Sequence, residues 1–157
     1  MVLSDADIKL LATAQAFELS FRDIYANVVS RAKQTGDELA LIKLMHDHHV
    51  AYEQTLNGIL SKRAATSRND EVFAEYFAAL SDSSKTWQTL LDLENFALTS
   101  HTTILETLAS AKHAEVIASI ITVEARHAAM IASIISPDIT ANLGLALDLP
   151  SQQTVTP

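Results

Sequence analysis

Val116–Ile135, reading VIASIITVEARHAAMIASII, decides how this chain is understood. Its apolar residues recur at helical spacing, and Ile117, Ile120, Ile131 and Ile134 fall on one face. Glu124 and His127 fall on that same face, because three residues is close to one helical turn. A carboxylate and an imidazole on a core-facing stripe are costly unless something satisfies them. A metal ion would satisfy both, provided that other helices bring matching ligands.

The totals narrow the classes. At 157 residues, 48% of them hydrophobic, the chain is long enough for one domain with a sizeable core, and it is not a disordered polymer. A net charge of −8 argues against nucleic acid as the main partner and is compatible with cations. The absence of cysteine excludes disulfides, thiolate metal sites and thiol catalysis. Glu124, Arg126 and His127 interrupt the longest apolar run, so no membrane span is expected. Met1–Lys9 has two acids and no apolar core, unlike an export signal.

Three glycines and three prolines, placed toward segment edges, suit long helices. Ser4 reads as the cap of a first helix carrying Leu11, Ala14, Phe21, Tyr25 and Val28, with Gly36 closing it and Asp37 capping the next. The second helix runs to about Lys62. Arg63–Asp70 is polar. A short helix, Val72–Leu80, follows, with a turn at Ser81–Ser84. A third long helix spans roughly Ser84–Ser110 and a fourth about Ala111–Ile135, ending before Pro137. The domain is therefore placed at residues 1–136, with 137–157 as a tail in which Leu143–Leu149 packs on the body. The first two long helices are joined tightly, and so are the last two. About twenty residues separate the pairs, enough to travel the length of a bundle. The expected fold is an all-α four-helix bundle with one long crossover between its second and third helices.

Each long helix places an ionisable group on its apolar face. The first has Glu18 among Leu11, Ala14, Phe21 and Tyr25. The second has His46, His49 and Glu53 between Ile42 and Leu56. The third has Glu94 and His101, and the fourth Glu124 and His127. Four such helices point to a shared metal site of carboxylate and imidazole ligands: Glu18, His46, His49, Glu94, Glu124 and His127. These donors suit iron, manganese or zinc. The competing reading is a buried polar network without metal. Glu53 and His101 lie seven residues beyond His46 and Glu94. On parallel helices they are expected to meet as a buried pair or to orient the ligands. Asp47 and His48 are expected to point to solvent, and His113 to lie at the surface.

Leu91-Asp92-Leu93-Glu94-Asn95 and Val123-Glu124-Ala125-Arg126-His127-Ala128-Ala129, with Ala16-Phe17-Glu18, Tyr25 and His46-x-x-His49-Val50, resemble the ferritin-like domain family over roughly residues 5–140. The resemblance is especially to its small stand-alone bacterial members of the kind seen in actinobacteria. The resemblance implies a transition-metal site of one or two ions, iron first, and oxidation of Fe(II) by oxygen or peroxide, with Tyr25 or Trp87 as a possible electron donor. His46 stands where the family's four-carboxylate pattern has a bridging Glu. Imidazole cannot bridge two ions, so a single ion or an uneven pair is the expectation, and zinc or copper gains ground. The alternative is a degenerate scaffold that acts as an interaction module, with Ile121 and Ile135 marking a helix contact. Gly144 and Pro150 do not suit a cage-forming fifth helix, so a monomer or homodimer is expected rather than a 24-subunit cage. Small relatives often carry an export signal. The chain fits a cytoplasmic protein or an extracytoplasmic domain whose signal has been removed.

Overall fold

The computed structural model describes residues 3–31 and 33–138. The expected tail contacts of Leu143–Leu149 lie outside the described residues. Helix α1 spans Asp5–Ser30, α2 Gly36–Leu60, α3 Asp70–Ala79, α4 Thr86–Thr107 and α5 Ala111–Ile135, and no strand occurs among the described residues. The four long helices form an all-α bundle, and α3 lies within the long connection between α2 and α4.

Local chemistry sets the helix starts. The Ser4 side chain accepts from the Asp7 N–H at 3.0 Å, and Asn69 caps α3 by accepting from Val72 N–H at the same distance. The first helix ends at Ser30 rather than near Gly36. Gly36 instead begins α2 with φ +56°, a left-handed conformation that glycine adopts without a Cβ penalty. The second helix stops at Leu60, and Ser61–Arg63 continues as a single 3₁₀ turn.

Long-range bonds fix how the helices run. Asp7 Oδ1 accepts from Ala109 N–H at 2.9 Å, which ties the start of α1 to the end of α4. At the other end the Arg31 guanidinium donates to the Leu80 carbonyl just ahead of α4. Helices α1 and α4 are therefore antiparallel, and α2, antiparallel to α1, runs with α4. That is the direction a full-length crossover imposes. The crossover is pinned to α1: Asn69 N–H donates to the Ala16 carbonyl at 3.0 Å, and Ser20 Oγ donates to the Asn69 carbonyl at 2.8 Å. Arg68 stacks over the Phe73 ring and pairs with Asp23 at 2.9 Å.

The hairpins α1–α2 and α4–α5 pack closely within themselves, and α1–α4 joins them. Helix α2 approaches α5 less closely. Two apolar clusters result. Phe21, Ile24, Tyr25, Ile42, Met45, Leu90, Leu93 and Ile131 fill one end. Leu11, Ala14, Leu56, Ile117 and Ile120 fill the other. Ile121, expected on an outer face, packs against both clusters, while Ile134 is 37% exposed although it was expected inside. By length and composition alone α5 could cross a membrane, its most apolar window having a mean hydropathy of 1.3, so Glu124, Arg126 and His127 do not by themselves disqualify it. In the bundle its stripe Ile117, Ile120, Glu124, His127 and Ile131 is buried against other helices.

Candidate metal centre

Between the two apolar clusters lies a layer of ionisable side chains. Glu18, His49, Glu94, His101 and Glu124 are fully buried, and His127 is 3% exposed. Their ligand-type atoms form two triads: His49, Glu94 and His127, and Glu18, His101 and Glu124. Within each triad these atoms lie within 4.8 Å of one another.

The antiparallel register explains the grouping. On α1 and α4, Tyr25 meets Glu94 and Glu18 meets His101: each pair of positions is seven residues, two turns, from the other. Helix α5 spans both levels with Glu124 and His127. His49 sits at the junction. Its Nδ1 is 2.8 Å from Glu18 Oε2, and its Nε2 is 3.3 Å from Glu94 Oε1. His127 Nδ1 also faces Glu94 Oε1 at 3.3 Å. His101 Nδ1 donates to Glu124 at 2.9 and 3.1 Å. The Tyr25 hydroxyl donates to Glu94 Oε1 and lies 3.6 Å from Met45 Sδ. Phe21 closes the layer edge-on, with ring centroids 5.5 Å from His49 and 6.3 Å from His101.

The electrostatics follow from these pairs. Burial pulls the His49 imidazolium down, but Glu18 and Glu94 outweigh it and hold its pKa at about 10. Burial also opposes protonation of His101, yet the Glu124 carboxylate raises it to about 9. Burial pushes the Glu94 carboxyl up, but bonds from His127 and His49 prevail and bring it to about 2. Burial, then the Glu94 charge, lifts the Tyr25 hydroxyl well above its ordinary value. Without metal, the layer therefore holds protons on imidazoles that face carboxylates.

Some donors remain unused in that arrangement. Glu94 Oε2 in one triad, and Glu18 Oε1 and His101 Nε2 in the other, are buried without a hydrogen-bond partner. The last two face each other at 3.7 Å, too far for a hydrogen bond. Each such atom costs on the order of 1–3 kcal/mol if nothing else satisfies it. Carboxylate oxygens, and imidazole nitrogens once they release their protons, are the donor set of a divalent transition metal, and two histidines with one carboxylate suit iron(II). The residues present fit such an ion.

The sequence-predicted residues are not all gathered here. Glu18, His49, Glu94, Glu124 and His127 are. His46 is not: its side chain is 26% exposed, and its Nδ1 pairs with Asp47 at 3.0 Å. The buried arc of α2 is centred on Ile42, Met45, His49, Glu53 and Leu56, and His46 lies outside it. His101 takes the sixth place. Glu53 does not meet His101. It accepts from Gln15 Nε2 at 3.0 Å and lies 4.0 Å from Arg22. His48, expected in solvent, turns toward α5 and places Nδ1 2.8 Å from His127 Nε2. Burial, then His127, His49 and Arg126, hold its pKa below the ordinary value. The signal was present: Met45, His48, Tyr52 and Leu56 recur at three- and four-residue spacing along the flank of the buried stripe.

A family model described as ferritin-like domain matches residues 6–137. A search of curated proteins and a search of solved structures return no match.

Proposed function

Because the chain belongs to the ferritin-like domain family, we propose that it binds transition-metal ions, iron foremost, in the two buried triads, as the basis of oxygen- or peroxide-linked redox chemistry. The observation that carries this reading is the set of unpartnered ligand atoms: both triads contain at least one, in a layer sealed from water. A pure hydrogen-bond network has no use for them.

In this reading His49, Glu94 and His127 hold one ion, and Glu18, His101 and Glu124 hold a second where two are bound. Bound iron supplies electron transfer to oxygen or peroxide. The chain's own residues set the conditions. Tyr25 holds the Glu94 carboxylate in place through its hydroxyl. Phe21 keeps the apolar side of the layer dry. Three carboxylates against three imidazoles carry less negative charge than a four-carboxylate set, which favours a single ion or an uneven pair and leaves zinc, manganese and copper as competitors. We expect a monomer or homodimer rather than a 24-subunit cage, which light scattering checks.

Elemental analysis of protein purified without chelator, before and after adding Fe(II), Mn(II) or Zn(II), tests the reading. One or two ions per chain are expected. A stoichiometry far below one that no addition raises would contradict it. The competing reading, a metal-free scaffold for a partner, draws on the close His49–Glu18 and His101–Glu124 pairs. It requires a melting temperature that EDTA leaves unchanged, whereas metal binding requires a lower one.

A further inference from the structure

We propose that His48 is the positioning partner of His127, accepting its outer N–H and so setting which nitrogen His127 presents to a metal ion. This rests on reading the layer as a metal centre.

His127 has two ring nitrogens in different surroundings. Nδ1 faces Glu94 inside the layer at 3.3 Å, and Nε2 faces His48 Nδ1 at 2.8 Å. To ligate through Nδ1, His127 must carry its proton on Nε2. That proton then needs an acceptor, because Nε2 belongs to a residue that is only 3% exposed. His48 Nδ1 is that acceptor. In the metal-free state the Glu94 carboxylate accepts a hydrogen bond from Nδ1–H, Nε2 becomes an acceptor, and His48 must donate. An imidazole serves both states, since its second nitrogen can exchange a proton with solvent. A lysine could only donate, and an aliphatic side chain could do neither.

The placement of His48 agrees with this role. It is half-buried on the flank of α2 that faces α5, the side on which the two hairpins approach less closely. Its ring lies nearly parallel to that of His127, at 4°, with centroids 5.1 Å apart, and it also stacks against Tyr52. His48 belongs to neither triad, so the residue holds a ligand and is not one. Groups in this position, donating to or accepting from a ligand histidine, fix its orientation.

The test compares the full chain with His48→Ala and His48→Gln, using Zn(II) as the probe. Affinity is read by chelator competition, and the His127 tautomer by ¹⁵N NMR of histidine-labelled protein. His48→Ala is expected to weaken zinc binding about 10- to 100-fold, the usual loss for such a partner. His48→Gln, whose amide can accept or donate, is expected to stay within about threefold of the unsubstituted chain. His48→Gln, which keeps a partner for Nε2, should keep the metal-free melting temperature of the parent, whereas His48→Ala should lower it; the His127 tautomer in the zinc-loaded protein separates positioning from general packing. In the zinc-loaded protein His127 should carry its proton on Nε2. An alanine variant within twofold of the parent, or zinc-loaded His127 protonated on Nδ1, would overturn the inference. Failure of the parent chain to bind Zn(II) would be a different result: it would remove the metal reading itself, and this inference with it.

Discussion

Replacing His49 and His46 one at a time by alanine separates the geometry found here from the one suggested by the His46-x-x-His49 spacing. His49 is fully buried and serves two carboxylates, Glu18 at 2.8 Å and Glu94 at 3.3 Å. His49→Ala leaves both buried charges short of a partner. Removing one member of a buried pair costs about 3–5 kcal/mol, a large share of the ~5–15 kcal/mol that holds a typical domain together. His46 pairs instead with Asp47, whose side chain is 74% exposed, and such surface pairs contribute about 0–1 kcal/mol. His46→Ala should therefore move the urea midpoint of the metal-free protein very little, and His49→Ala should move it far. Zinc affinity follows the same division. If the lost ligand is worth no more than the lower figure above, about 3 kcal/mol, His49→Ala weakens binding about 100-fold, while His46→Ala stays within twofold. Urea unfolding and chelator competition on the same preparations read both quantities. Equal losses for the two variants, or a larger loss for His46→Ala, would refute the placement of His46 outside the centre.

Tyr25→Phe removes a hydroxyl that donates to a buried carboxylate, so it should destabilise the metal-free protein by roughly 1.5–3 kcal/mol in urea unfolding; no loss would deny that bond its role. Glu53→Ala should lower stability by about 1–3 kcal/mol, because Gln15 Nε2 loses its acceptor, yet leave zinc affinity unchanged by competition titration. The metal-free protein should lose stability as pH rises. His49 and His101 have folded pKa values of about 10 and about 9, above the ordinary 6.5, so the native state holds the extra protons. Their contribution is full below about pH 6.5 and disappears as pH climbs through 9 to 10, which urea midpoints at pH 6 and pH 9.5 would show. Zinc affinity should run the other way, because binding must displace those protons; calorimetry at pH 7.5 in buffers of different ionisation enthalpy should detect their release.

The bundle was legible because the apolar stripes of the four long helices repeat at 3.6 residues and because the two tight joints and one long one permit few topologies. Helix α5 has the bounds expected of it, about Ala111–Ile135, since its apolar residues keep a helical period and Pro137 follows its end. The end of α1 was not, because nothing in the residues from Arg31 to Thr35 outweighs the glycine that follows. Glu18, His49, Glu94, Glu124 and His127 could be picked out as charges in the middle of apolar faces. His46 and His101 could not be ranked by spacing alone. Three residues on a helix leave about 60° of rotation between two side chains, and the neighbours Met45 and His49 decide which one turns inward. His101 stands two turns from Glu94, a separation that looks too long for one centre until the antiparallel register brings Glu18 and Glu124 to the level of His101. His48 was missed because it lies at the edge of the stripe, where burial depends on how closely α5 approaches.

The central claim is that two buried triads, drawn from four helices, form a metal centre. An anomalous-difference map of crystals grown with Fe(II) or Zn(II), collected on both sides of the metal absorption edge, tests it most directly. The account predicts a peak about 2.0–2.2 Å from donor atoms of His49, Glu94 and His127, with or without a second among Glu18, His101 and Glu124. A layer without anomalous density at saturating metal, or density at His46 on the surface in its place, would contradict it.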